Sequence, residues 1–112
     1  MKRGDIYHAR LNPTEGSEQS GLRPVVIVSR DAINDNSPVV IVVPLTPRTN
    51  KTRVYPSHVI LQAGEGKLAK ESIALGEQVR AVSKTRLGDL IGHLAPESMA
   101  AISAALKIAL DL

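Results

Sequence analysis

The chain has 112 residues, 43% of them hydrophobic, which suits one domain with a real core rather than a disordered segment. It has no cysteine, so disulfides and cysteine-held metals are excluded. A net charge of +3 permits a nucleic-acid partner without requiring one, while an aromatic content of 2% (Tyr7 and Tyr55) disfavours a surface that stacks bases on rings.

Residues 6–11 read as a first strand, and 12–22 (NPTEGSEQSGL) as a polar loop with a turn-forming Asn-Pro and two glycines. Residues 24–29 (PVVIVS) form a β-branched strand expected to be buried on both faces. DAINDNSP, rich in Asp and Asn, is predicted to be a turn. Val39 to Leu45 is a third strand, and its likeness to PVVIVS predicts an antiparallel pair joined by a long connection. That run is interrupted by Pro44 and is far too short to cross a bilayer.

Residues 47–56 (PRTNKTRVYP) form a second loop, bounded by prolines and carrying Arg48, Lys51 and Arg53. Short strands follow at 58–62, 72–75 and 79–83, and 87–94 is compatible with a last strand. Pro96 opens a helix to about Leu110, with Glu97 in its first turn. Its predicted apolar face runs through Met99, Ile102, Leu106 and Ala109 and extends to Ala105, Ile108 and Leu112. The expected architecture is α+β: a small curved antiparallel sheet or partly open barrel plus a C-terminal helix, one domain over residues 1–112. The start of the chain, MKRGDIYHAR, has no apolar signal core, so a cytoplasmic location is expected.

Arg23 sits where the first loop meets the second strand. Its planar guanidinium matches phosphate, and Pro24 keeps it extended. The same position also fits a solvated arginine, or one paired with Glu15 or Glu18. Thr46, between Pro44 and Pro47, has a hydroxyl suited to a phosphate oxygen, or else to capping a turn. If the second and third strands pair antiparallel, Arg23 and Thr46 fall at the same end of the pair under two polar loops, which makes an anion site. Ser17, Glu18 and Gln19 form the polar tip of the first loop, suited to base edges. Arg48 and Lys51 suit a backbone-tracking groove, and Gln78 lies just before a strand. His8, His58 and His93 have no HxH or HExxH spacing, so no metal site is expected, and nothing in the sequence sets His8 beside Arg23.

These residues resemble the MazF/PemK family of toxin endoribonucleases. The likeness runs through RGDIY at 3–7, GSEQSGLRPVVIVS at 16–29, PLT at 44–46, SHV at 57–59, EQVR at 77–80 and KTRL at 84–87, in order over nearly the whole chain. It implies a CcdB/PemK-type, SH3-like fold and a homodimer. It implies sequence-specific, metal-independent cleavage of single-stranded RNA, leaving 2′,3′-cyclic phosphate and 5′-hydroxyl ends, with no cofactor. The family's catalytic arginine and threonine fall on Arg23 and Thr46, and the RNA-binding residues expected beside them are Ser17, Glu18, Gln19, Arg48, Lys51 and Gln78. A cognate antitoxin is the implied protein partner. Glu71 departs from the family, which more often has Asp before this serine, and the loop over 47–56 varies among relatives. The competing readings are a CcdB-like, non-catalytic inhibitor of a protein such as gyrase, and an inactive relative that binds RNA or antitoxin.

Overall fold

The structure, a computed structural model, describes residues 1–49 and 53–112. Seven strands make an open, curved antiparallel sheet: β1 (Asp5–Arg10), β2 (Leu22–Ile27), β3 (Val39–Pro47), β4 (His58–Leu61), β5 (Ser72–Leu75), β6 (Arg80–Ser83) and β7 (Leu87–His93). The spatial order is β4-β5-β3-β2-β1-β7, with β6 also pairing to β3. Two helices, α1 (Asp31–Asn36) and α2 (Pro96–Leu110), complete the described chain.

The central strand, β3, organises the sheet because it is long enough to serve three neighbours. Val42 to Pro44 pair with β2 along one edge. Along the other edge, Val39 to Val42 pair with β6, and Leu45 to Pro47 pair with β5. A one-turn 3-10 helix at Gly76–Gln78 connects β5 to β6. It fits because Gly76 is buried against the Ser57 carbonyl, where a Cβ would lie 2.5 Å from that oxygen.

The β-branched runs bury both faces of the sheet, as their composition predicts. Val26 and Val43, opposite each other, join Ile6, Leu45, Leu61, Leu94 and Ile102 in the core beneath α2. Val25, Ile27, Val40 and Val42 point the other way and pack with Ala9, Leu11 and Val82. Alternation along a strand sends adjacent valines into separate cores. Arg3 ties the layers together: its Nη1 donates to the Val28 carbonyl at 3.0 Å and its Nη2 to the Ser103 hydroxyl of α2 at 2.6 Å.

Three expectations change. The stretch read as a turn at 31–38 contains α1. Asn34 is buried there: its side chain donates to the Ser29 carbonyl at 2.9 Å and accepts from the Ser29 hydroxyl, so a tertiary contact holds a helix that Asp and Asn disfavour locally. Second, β2 begins two residues early, so Arg23 lies inside a strand. Third, Ile108 and Leu112 are 58% and 85% exposed; only Ile102 and Ala105 of α2 are buried outright.

The start of α1 carries a pH prediction. The Arg3 backbone N–H, 2.8 Å from Asp31 Oδ1, holds the Asp31 carboxyl below its usual range; desolvation opposes it, and Asn34, Lys2 and the N-terminus add to the lowering. A depressed folded-state pKa contributes stability above the unfolded value of about 3.9 and loses it as pH falls through the folded value. Thermal unfolding should therefore show wild type above Asp31→Asn at neutral pH, with the gap narrowing below about pH 4. A gap independent of pH would rule the carboxylate out.

Candidate functional site

The register of β2 against β3 sets Val25 opposite Pro44 and Val26 opposite Val43. Two more steps along the same register bring Arg23 to Thr46. Both line one cavity of about 260 Å³, with Leu22, Lys70 and Ser72 among its other walls. Each is half-buried. Thr46 is held by backbone pairing to Ile73 of β5, and its hydroxyl makes no hydrogen bond among the described residues. It is not a turn cap.

Arg23 is oriented by a carbonyl rather than an acid. Its Nε donates to the Ser20 carbonyl at 3.1 Å, and it forms no ion pair with Glu15 or Glu18. Gly21 makes that geometry accessible, since its φ of +75° is a conformation side chains resist. The pattern recurs around the same loop. Arg80 donates to the Leu11 carbonyl at 3.3 Å, Arg10 to the Thr85 carbonyl at 3.1 Å, and Arg86 to the carbonyls of Arg10 and Asn12. Carbonyl dipoles orient guanidiniums without cancelling their charge. Among the described residues, none of these four arginines is neutralised by a carboxylate. No carboxylate or imidazole lines the Arg23–Thr46 cavity among those residues. Its chemistry is that of an anion site: one fixed charge, a lysine and a free hydroxyl.

A second cavity of about 380 Å³ lies beside Pro44, lined by Glu18, Gln19, Glu77, Gln78 and Arg80. Gln78 closes it from beneath. Its Oε1 accepts from the Gln19 backbone N–H at 2.7 Å, and its Nε2 donates to the Ser17 carbonyl at 3.3 Å. The Gln78 amide thus fastens the tip of the first loop to the 3-10 turn. Ser17 and Glu18 stay exposed, and the buried Oε1 of Gln19 has no hydrogen-bond partner among the described residues.

The basic loop is less concentrated than its sequence suggests. Arg48 pairs with Glu71 at 3.5 Å, and its backbone N–H bonds the Glu71 carbonyl. Glu71 therefore partners a residue of the candidate RNA-binding set. Arg53 lies over the Tyr55 ring at 5.6 Å. Lys51 lies outside the described residues.

The histidines are occupied elsewhere or lack a site partner. His58 accepts from the Tyr55 backbone N–H at Nδ1 and meets Glu77 at Nε2, 3.1 Å away. His93 pairs with Asp5 at 2.7 Å. His8 faces Pro24 in the β1–β2 register, one residue along from the Ala9–Arg23 pair, so the fold brings it nearer the cavity than its position in the sequence suggests. Among the described residues, no group of three His, Cys, Asp or Glu could hold a metal. Among the described residues, no helix is long and apolar enough to cross a membrane. Lys70 and Arg10 escaped the sequence reading, and Arg80 and Arg86 entered it only within the EQVR and KTRL motifs, with no site role. The signal available for a site role was proximity to strand ends whose neighbours the sequence left open.

A model of the PemK-like, MazF-like toxins of type II toxin-antitoxin systems matches residues 2–110. The chain is also 44% identical to the endoribonuclease MazF of Staphylococcus saprophyticus, over its full length and 92% of that protein. The chain belongs to the PemK/MazF toxin family. Solved PemK/MazF-type structures share the architecture. An endoribonuclease in complex with its cognate antitoxin, from a Mycobacterial species, superposes with a TM-score of 0.82 at 28% identity, covering 100% of this chain and 96% of that one. MazF from Deinococcus radiodurans superposes with a TM-score of 0.84 at 23% identity, covering 100% and 97%; that likeness speaks for the fold alone. In this PemK/MazF chain Arg23 and Thr46, the two residues singled out in the sequence, share the cavity described above.

Proposed function

We propose that this chain is a toxin endoribonuclease that cleaves single-stranded RNA by internal transphosphorylation, acting as one domain in a cytoplasmic homodimer controlled by a cognate antitoxin. The observation that carries the reading is the meeting of an uncompensated Arg23 with a free Thr46 hydroxyl in one cavity, in a chain 44% identical to an endoribonuclease. In the reaction, a ribose 2′-oxygen attacks the adjacent phosphorus and the bond from phosphorus to the 5′-oxygen breaks. The 2′-proton passes to a base outside the cavity, and the departing 5′-oxygen takes a proton. The products are a 2′,3′-cyclic phosphate and a 5′-hydroxyl.

Negative charge builds on the equatorial oxygens during attack. Arg23 and Thr46 are the donors for that charge, and such a donor is worth up to about 4 kcal/mol where water is excluded. A guanidinium keeps its protons at working pH, so Arg23 is not the base; it stabilises the charge that develops on the phosphorane. Ser17, Glu18 and Gln19 present the polar edge for bases, kept in place by Gln78, while Arg48 and Lys51 flank the strand's path. Antitoxin control follows the complex of the Mycobacterial endoribonuclease with its cognate antitoxin. Dimerisation is favoured by exposed apolar side chains, among them Leu90, Ile108 and Leu110.

The test is to incubate the purified protein with long, mostly single-stranded RNAs in excess EDTA and map the fragment ends. Discrete cuts with 5′-hydroxyl ends are expected. Absence of cutting across RNAs of varied sequence would overturn the proposal in favour of a non-catalytic binder.

A further inference from the structure

A second basic pocket adjoins the first. Arg10, Asn12, Gly21, Leu22, Thr85 and Arg86 line a cavity of about 470 Å³ with no carboxylate among them. Leu22, 66% exposed, is a wall of both this cavity and the Arg23–Thr46 cavity. Two arginines share the pocket, with their Nη2 and Nη1 groups respectively bonded to carbonyls of Thr85, Arg10 and Asn12. Each guanidinium has five N–H donors, so each keeps several free for an anion.

As a mere clamp between β1 and the turn before β7, this arrangement would be uneconomical. Neutral amides could make the same bonds to carbonyls without bringing two positive charges into one cavity. A bound phosphate relieves that repulsion. Arg10 pairs with Leu22 and Ala9 with Arg23, so the backbones of Arg10 and Arg23 lie one strand and one residue apart, about 6 Å; the pleat sends their side chains to opposite faces, and Leu22, a wall of both cavities, is where the two pockets meet. Two anion pockets that meet at Leu22, at one end of the sheet, fit neighbouring phosphates of a single strand passing over that residue. In a chain with two aromatic residues, Tyr7 and Tyr55, neither of which lines these pockets, the exposed Leu22 between them offers an apolar surface to a base.

We propose that Arg10 and Arg86 form a second phosphate subsite, which holds a backbone phosphate flanking the one at Arg23. The proposal rests on the RNA-cleavage reading. Its occupant is the RNA backbone, so contact is independent of base identity and sensitive to salt.

The test uses an RNA carrying a cleavage site of the wild-type protein, with a 2′-deoxy sugar at the attacking nucleotide so that it binds uncut. Affinity is measured against salt for wild type, Arg10→Gln and Arg10→Lys. Arg10→Gln should bind about tenfold more weakly at low salt, with the logarithmic salt slope reduced by about 0.7. Arg10→Lys keeps the charge and should retain the wild-type slope, whereas a folding defect would weaken both variants alike. A single neutral methylphosphonate, walked along the strand, should weaken wild type at one flanking position and leave Arg10→Gln unaffected there. If Arg10→Gln binds with wild-type affinity and slope while wild type cuts RNA, the subsite is wrong and the cleavage reading stands. If wild type neither binds nor cuts any RNA, both fall.

Discussion

Arg23→Ala should lower kcat/KM for RNA cleavage by about 10²- to 10³-fold, the loss seen when one preorganised donor to a developing oxyanion is removed. The fold should survive. Arg23 is half-buried, and its side chain makes one hydrogen bond, to the Ser20 carbonyl, so the stability cost is about 1 kcal/mol. Arg23→Lys should fall between, because it retains the charge but not the planar fork. Thr46→Val, similar in shape, removes only the hydroxyl and should cost less than Arg23→Ala. The measurements are single-turnover cleavage of a defined RNA and a thermal melt of each variant. An Arg23→Ala protein that melts normally and cuts within about threefold of wild type would remove Arg23 from the chemistry.

The second large effect concerns the scaffold. Gly92 of β7 lies against backbone: a Cβ there would sit 2.1 Å from the Gly66 carbonyl oxygen and 2.5 Å from its carbon. Neither atom belongs to a side chain that can swing aside, so β7 or the turn at Glu65–Lys67 must move. β7 pairs with β1, whose Ile6 and Ala9 lie in opposite cores, so the displacement reaches both. Gly92→Ala should cost about 3 kcal/mol or more, lowering the melting temperature by about 10 °C or more. Gly88, on the same strand, is the control: its added Cβ would meet nothing closer than the His8 carbonyl oxygen at 3.7 Å. Gly88→Ala should be neutral, or stabilising by about 0.4–1 kcal/mol through a less flexible unfolded chain. Equal melting of the two variants would show that the Gly66 contact yields freely.

Much of the fold was legible because its signals are local. The valine-rich runs declared β2 and β3, and the Pro96 start and spacing of Met99, Ile102 and Leu106 declared α2. The antiparallel pairing of β2 and β3 then brought Arg23 and Thr46 to one end without further information, since register alone decides which residues face each other. The helix at 31–36 was not legible: Asp and Asn favour turns, and the contact that overrides them is the buried Asn34 to Ser29. Nor was the exposure of Ile108 and Leu112. Periodicity names an apolar face but not where the sheet beneath it ends.

The sequence by itself therefore determined the strands, the last helix, the strand pair that joins Arg23 to Thr46, and the family resemblance. Only the tertiary structure decided which charges remain available. Arg48 is answered by Glu71, 23 residues on, whereas Arg10, Arg23, Arg80 and Arg86 bond carbonyls and keep their charge. It also decided that the Gln78 amide fastens a loop 59 residues earlier. Ion pairing and hydrogen bonding act over about 3–4 Å. Such partners are set by which strand ends the folded sheet brings together, and distance along the chain carries no record of that.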